Sequence, residues 1–319
     1  MSSSLNSDGI LANGARILVT GAGGFIGRNL IKMLENFDVS VFTPTIEECD
    51  LTTNKGVKEA FSCNPDVVIH LAADVGGIGY MSSNSFEIFQ NNSLMDLLVI
   101  RESVSKNVKK FIGVGSVNCY PSLLESPYEE ENLWRGQPHD SVLGYGSSKR
   151  NLILQCQMLR SQQKLNATVL IFEGVYGPGD NFARGRSRVI PANIVRCIDA
   201  INSGDTEISA WGTGNPIRDF LFVNDASRAI IFSIENSDSI NSLNVGSGMP
   251  VSIRELLEKI VQVTGFKGKL VWDESKPDGQ KIRYLSNSKA LDLGFQTKTI
   301  LDEGLHESVN WYLEHLSAK

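Results

Sequence analysis

The chain has 319 residues, 41% of them hydrophobic, with 30 Lys and Arg against 36 Asp and Glu for a net charge of −6. That length buries a large core in one large or two medium domains, and the acidic balance argues against a nucleic-acid-binding surface, which needs a clustered basic face to neutralise phosphates. Five cysteines, Cys49, Cys63, Cys119, Cys156 and Cys197, are odd in number and lack C-x-x-C spacing or neighbouring histidines, so no disulfide framework and no metal site is expected and a reducing, cytoplasmic setting fits. No run reaches the ~18 apolar residues of a membrane span.

In chain order, residues 1–14 are polar, lack a charged stretch ahead of a long apolar run, and read as a flexible leader rather than a signal peptide. The stretch ARILVTGAGGFIGRNL comes next. Ile17, Leu18, Val19 and Thr20 form a short buried strand. Gly21, Gly24 and Gly27 then spell G-x-x-G-x-x-G: the first glycine makes the tight turn, the second lets backbone N–H groups approach a pyrophosphate, and the third lets helix pack on strand. Arg28, Asn29, Leu30, Ile31 and Met33 continue with helical spacing, which puts the phosphate on a helix N-terminus. A dinucleotide site at Gly21, Gly24, Phe25, Ile26, Gly27 and Arg28 is therefore expected.

Val39 to Phe42 reads as the second strand, with a turn at Pro44. An acid after this strand takes the ribose hydroxyl of NAD and an arginine takes the 2′-phosphate of NADP; Thr43 stands there, which leaves the preference open. Val67 to Leu71 is another buried strand, anchored at its start by Asp66, and Leu71, Ala72 and Ala73 let a cofactor pass over its end. A helix follows with an apolar stripe of Ile88, Leu94, Leu97, Leu98 and Ile100, on which Asn91 and Asn92 read as structural amides. Phe111 to Gly115 is the next strand, and it delivers Ser116 to the C-terminal edge of the sheet, where open α/β folds bind ligands.

Tyr145-Gly-Ser-Ser-Lys149 enters a helix continuing through Leu152, Leu154 and Met158, and a spacing of four puts tyrosine and lysine on one face. An unperturbed phenol, with a pKa near ~10, is a poor proton donor or acceptor at neutral pH, while a neighbouring ammonium and a cationic nicotinamide favour the phenolate. Ser116, Tyr145 and Lys149 thus read as a catalytic trio for hydride transfer at a carbonyl, the serine hydrogen-bonding the oxygen as it becomes an alkoxide.

Gly177 to Gly214, with the basic run ARGRSR and a helix from Pro191 to Ile201, reads as part of a substrate lobe; Phe220 to Ala229 returns to the first lobe. Ser252 caps an amphipathic helix with Glu255 completing a capping box, and a last helix runs from Ile300 to His315. The division expected is a dinucleotide-binding domain at 15–178 with a return segment near 218–247, and a substrate lobe at 179–217 and 248–319. The fold class is α/β, a Rossmann-like doubly wound parallel sheet with a smaller C-terminal α/β lobe.

HLAADVGGI, GSVNCYP, YGSSK, VYGPGDNF, RVIPANIVR, WGTGNPIRDFLFVND, LNVGSG, SIRELLEKI, VTGFKGKLVWD and SKPDG together resemble the extended short-chain dehydrogenase/reductases, and within them the GDP-L-fucose synthases, over nearly the whole chain. The resemblance implies a cofactor, NADPH with NADH not excluded, on Gly21 to Gly27, Val114, Gly115, Lys149, Phe172 and Val175. It implies a GDP-linked 4-keto sugar held by Asn118, Asn181, Arg188, Val189, Arg196, Trp211, Arg218 and Asp278, and a homodimer formed through a four-helix contact. Arginines suit a diphosphate through their forked donors.

Two positions depart from that pattern. Where the family keeps a cysteine two residues after the serine and a histidine before V-I-P, as base and acid for inversion at C3 and C5, this chain has Asn118 and Arg188. Neither serves as a general base. Cys119 next door is expected to point away on an extended segment. The reading is C4 reduction without epimerisation, with the reverse 4-dehydrogenase, a family-type epimerase/reductase and a non-catalytic nucleotide-sugar binder as rivals. A 4,6-dehydratase fits less well because Val117 and Asn118 stand where its acid pair belongs.

Overall fold

The structure, a computed structural model, describes residues 9–12, 14–125, 127–183, 187–238, 240–276 and 278–316. β1 (Ala15–Thr20) leads to α1 (Phe25–Leu34), β2 (Val39–Phe42), α2 (Asn54–Ala60), β3 (Val67–His70), α3 (Ile78–Ser83), α4 (Ser85–Ser105), β4 (Lys110–Ser116), α5 (Leu143–Ser161) and β5 (Ala167–Phe172). Then come α6 (Val189–Ser203), β6 (Glu207–Trp211), β7 (Ile217–Arg218), α7 (Val223–Asn236), β8 (Ser242–Val245), β9 (Val251–Ser252), α8 (Ile253–Thr264), β10 (Lys269–Asp273), β11 (Ile282–Arg283), α9 (Ser288–Asp292) and α10 (Leu301–Leu316).

Six strands make one parallel sheet in the order β2-β1-β3-β4-β5-β8. Parallel strands need long crossovers, so helices cover both faces and the inner strands are apolar on both sides, while the edge strand β2 alternates half-buried and exposed residues. Leu18, Val68, Phe111, Val169 and Ile171 pack on one face with Leu98 and Val99 of α4 and Leu152, Ile153 and Cys156 of α5. Ile17, Val19, Ile69, Ile112 and Leu170 pack on the other with Leu30 and Leu34 of α1 and Ala226 and Ile230 of α7. A third core joins Ile190 and Ile194 of α6, Leu256 and Ile260 of α8, and Leu305 and Val309 of α10. Beside it lie a parallel β10-β6 pair and a small β11-β7-β9 sheet.

Strand order reverses between β1 and β3, which opens a crevice at their C-terminal ends. Gly21 sits there with φ +70°, and a β-carbon on it would stand 2.6 Å from the Ala72 nitrogen. A β-carbon on Gly27 would lie 2.5 Å from the carbonyl oxygens of Gly21 and Ala22. Only glycine fits either position.

Asp66 ties the start of β3 to its neighbours: its carboxylate accepts from Arg16 Nε at 3.1 Å and pairs with Lys109 Nζ at 3.2 Å. Asn92 is buried and brackets the Asp74 backbone, accepting from its N–H at 2.7 Å and donating to its carbonyl at 2.9 Å. Asn91 donates to the Asp74 carboxylate at 3.0 Å. Ser252 Oγ accepts from the Glu255 N–H at 3.0 Å at the start of α8.

Three expectations need correction. Ile88, Leu98 and Ile100 of the α4 stripe are buried, but Leu94 and Leu97 are 37% and 49% exposed, turned off the face that meets the sheet and α5. Residues 1–8 and 13 of the leader lie outside the described residues, yet Ile10–Ala12 forms a 3-10 turn in which Leu11 is buried and its N–H donates to Glu235 Oε1 at 2.7 Å. That end of the leader is packed, not free. Cys119 sits in a 3-10 turn, Val117–Cys119, not on an extended segment. Residues 184–186 of the basic run lie outside the described residues. No helix among the described residues is long and apolar enough to cross a membrane.

Candidate active site

A cleft of about 2240 Å³ opens over the C-terminal ends of β1 and β3. Gly21, Gly24, Phe25, Ile26, Gly27, Arg28, Leu71, Ala72, Ala73, Val114, Tyr145, Asn181 and Arg188 all line it. Gly24, at the N-cap of α1, supplies no side chain to cap the helix, so its first N–H groups face the cleft edge free for an anion. This bare helix end, with the close approaches at Gly21 and Gly27, fits a dinucleotide pyrophosphate. Arg28 closes the cleft rim by donating to the carbonyl oxygens of Gly23 and Gly179. Phe172 and Val175 do not line the cleft; their side chains are 4% and 5% exposed in the core on the α1 side, so what they offer a cofactor is backbone. Gly115 is buried in β4 opposite Ile171.

Ser116 ends β4, and its Oγ accepts from the Asn118 N–H at 3.3 Å. Tyr145 lies in the first turn of α5, 9% exposed, with Lys149 Nζ 6.0 Å from its ring centroid. Two contacts clamp α5 onto the serine's turn: Gly146 packs on the Asn118 carbonyl, and Arg150 Nε donates to the Cys119 carbonyl at 2.5 Å. Burial pushes the Tyr145 phenol above its ordinary range, and Lys149 and Arg188 pull against that without reversing it. The expected pull of the ammonium is present, since Lys149 works to lower the phenol, but burial outweighs it. A protonated phenol is the form that donates a proton. Burial pushes the Cys119 thiol up to about 12.

Arg188 precedes α6, pairs through Nη2 with Asp180 Oδ1 at 2.9 Å, and lies over the Phe25 ring at 5.6 Å. The Asn181 side-chain oxygen accepts from the Ala183 N–H at 2.9 Å, shaping the same loop. Val189 opens α6 and packs against the third core. Arg196 Nη1 donates to the Ser209 carbonyl at 2.8 Å on β6, whose last residue, Trp211, is 69% exposed. Arg218 Nη2 donates to the Gln280 carbonyl at 2.8 Å, two residues past Asp278. Asp278 accepts from the Thr213 N–H and hydroxyl, both at 2.7 Å, so its carboxylate already holds a loop together. Among the predicted residues, Tyr145, Asn181 and Arg188 line the cleft, Arg196 and Trp211 meet at β6, and Arg218 and Asp278 share a corner, while Ser116, Asn118 and Lys149 are not part of the cleft lining.

A model of the NAD dependent epimerase/dehydratase family matches residues 17–246. The chain belongs to that family. Among curated relatives it is similar to a probable GDP-L-fucose synthase of Oryza sativa subsp. japonica, 36% identical over 310 residues, covering 96% of this chain and 94% of the relative. Among solved structures it is similar to a GDP-L-fucose synthetase of Naegleria fowleri bound to NADP, at 28% identity and a TM-score of 0.87, with 95% of each chain covered. It is also similar to a GDP-mannoheptose C4 reductase of Campylobacter jejuni with NADP bound, at 25% identity and a TM-score of 0.85, covering 94% and 98%.

In this epimerase/dehydratase chain the sequence reading missed two residues. Arg283 on β11 reaches Asn118 Oδ1 through Nη1 at 3.4 Å and lies 3.7 Å from Glu173 Oε1 through Nη2. Nothing local marks Arg283. Glu173 had a signal: an acid directly after six apolar or small residues at the C-terminal edge of a buried strand.

Proposed function

We propose that this enzyme reduces C4 of a GDP-linked 4-keto sugar, a deoxyhexose or heptose, with NADPH and without inverting C3 or C5. That it is an NAD(P)-dependent oxidoreductase of a nucleotide sugar follows from its family and its likeness to GDP-sugar synthases and reductases along its whole length. The observation carrying the finer reading is the state of the two positions where the resemblance calls for an acid and a base. Asn118 offers an amide engaged by Arg283, and Arg188 is a guanidinium paired with Asp180. Neither can remove a proton from carbon.

Bound NADPH supplies the hydride that adds to the carbonyl carbon. The chain's own groups do the rest. Tyr145 gives its hydroxyl proton to the carbonyl oxygen, completing the alcohol, and Lys149 steadies the phenolate left behind. Ser116 Oγ donates a hydrogen bond to the same oxygen as charge develops on it. Arg196, Trp211 and Arg218 hold the diphosphate and base side, and Asp278 keeps its loop against them.

A homodimer belongs to the same reading: Leu94 and Leu97 of α4 and Leu154 and Met158 of α5 are exposed apolar side chains on two packed helices, which a second copy would cover. So do the division at 15–178 with its return segment and a cytoplasmic location. The test offers GDP-4-keto-6-deoxymannose and a GDP-4-keto heptose with NADPH and reads cofactor oxidation and product configuration. Reduction with C3 and C5 retained is expected; no oxidation with either substrate, or an inverted product, overturns the reading.

A further inference from the structure

The end of β5 carries an acid that the reaction above does not use. Glu173 follows Phe172, the register partner of Ser116, so it stands one residue beyond the level of the proposed catalytic serine. It is 2% exposed, and neither carboxyl oxygen makes a hydrogen bond of full geometry among the described residues, though the Gly174 N–H lies near. Arg283 Nε is buried and unpartnered as well. Leaving such groups unsatisfied costs stability, and a chain keeps them where a site needs them.

The guanidinium above Glu173 has a definite place. Arg283 is 29% exposed at its side chain and reaches from Glu173 to the amide of Asn118, two residues past Ser116. Its register partner on β7 is Arg218. The two cations stand close enough that burial and then Arg283 push Arg218 down to about 10. Arg283 therefore lies between the reducing edge and the corner assigned to the diphosphate.

We propose that Glu173 is a positioning residue that holds the Arg283 guanidinium between Asn118 and Arg218, where it meets the sugar nucleotide. The orientation of that ligand rests on the 4-ketoreductase reading. Burial pushes Glu173 up to about 8; Arg283 works against this, Asp219 adds to it, and the Gly174 N–H and Arg218 oppose it. The Tyr128 phenol also faces the group. At neutral pH a protonated carboxyl, 3.7 Å from the guanidinium, can turn an acceptor oxygen to Arg283 without claiming its charge. Above about pH 8 the carboxylate competes with the substrate for that cation.

Glu173→Leu should raise the KM for the 4-keto substrate about tenfold with kcat within about threefold, and leave Tm unchanged or higher, because an apolar side chain suits the buried position. Glu173→Gln keeps an acceptor and should restore KM at pH 7, while abolishing the rise in KM that the wild type shows above pH 8. A wild-type KM in the Leu variant overturns the proposal. So does a lowered Tm with kcat and KM both lost and no recovery in the Gln variant, the pattern of a purely structural residue. If the wild type reduces no GDP-4-keto sugar, the 4-ketoreductase reading falls, and calorimetric affinity for GDP-mannose decides on Glu173: about tenfold weaker binding in the Leu variant supports it, equal binding or none to either protein overturns it.

Discussion

Gly146 rests directly on Asn118: a β-carbon at Gly146 would stand 2.4 Å from the Asn118 carbonyl oxygen. The helix bearing Tyr145 therefore docks on the turn bearing Ser116 with no side chain between them. Gly146→Ala must push the two apart, and misplacement of reacting groups by about 1 Å costs as much as 100-fold in rate. A fall in kcat of at least about tenfold is expected, with NADPH affinity, read by fluorescence titration, near the wild-type value. An unchanged kcat would show that the two elements adjust without cost to the reaction.

Tyr145→Phe removes only the hydroxyl and should lower reduction by about 100-fold or more while NADPH still binds. Lys149→Met should weaken both binding and rate. Near-wild-type turnover by Tyr145→Phe would remove the tyrosine from the mechanism.

Inversion beside a ketone needs a base to take a carbon-bound proton and an acid to return it on the opposite face. Besides Asn118 and Arg188, two further groups are poor substitutes: the Cys119 thiol is buried and pushed up to about 12, and the His139 ring is engaged with Ser141 at 2.9 Å. Reduction run in deuterated water should leave C3 and C5 without solvent deuterium above the no-enzyme background. Enzyme-dependent label at either carbon would end the reductase-only reading.

Asp66 gives a pH signature to the fold. Burial alone raises its carboxyl, but the Arg16 side chain and N–H and the Lys109 ammonium outweigh it and hold it at about 2. Because the folded value is depressed, the stabilisation is present above the ordinary carboxylate range and fades as pH falls toward 2. Asp66→Asn should lower Tm at pH 7, with the difference from wild type shrinking steadily below pH 4. A difference independent of pH would mean that packing, not charge, sets its role.

What could be read in the chain was what local spacing encodes. Gly21 and Gly27 mark backbone positions that leave no room for a side chain, and Tyr145 and Lys149 share a helix face by count alone. Contacts made across the fold leave no such mark. Arg283 meets Asn118 from 165 residues away on a two-residue strand. The direction taken by Leu94 and Leu97 depends on where α5 lies, and the engagement of Asp278 by Thr213 depends on two loops meeting. The raised Tyr145 phenol is likewise a product of burial, which no spacing reveals.

The strand order has a consequence for synthesis. β5 is finished at Phe172, but its outer partner begins only at Ser242, and the N–H groups of Val169 and Glu173 wait for the carbonyls of Asn241 and Val245. A nascent chain halted between these points exposes a parallel edge reading Ala-Thr-Val-Leu-Ile-Phe, without the α7 residues that cover Leu170 and Phe172. Such an edge recruits other strands. The glycines near Gly21 thus belong to a sheet whose last strand, Ser242–Val245, is synthesised long after the crevice they line.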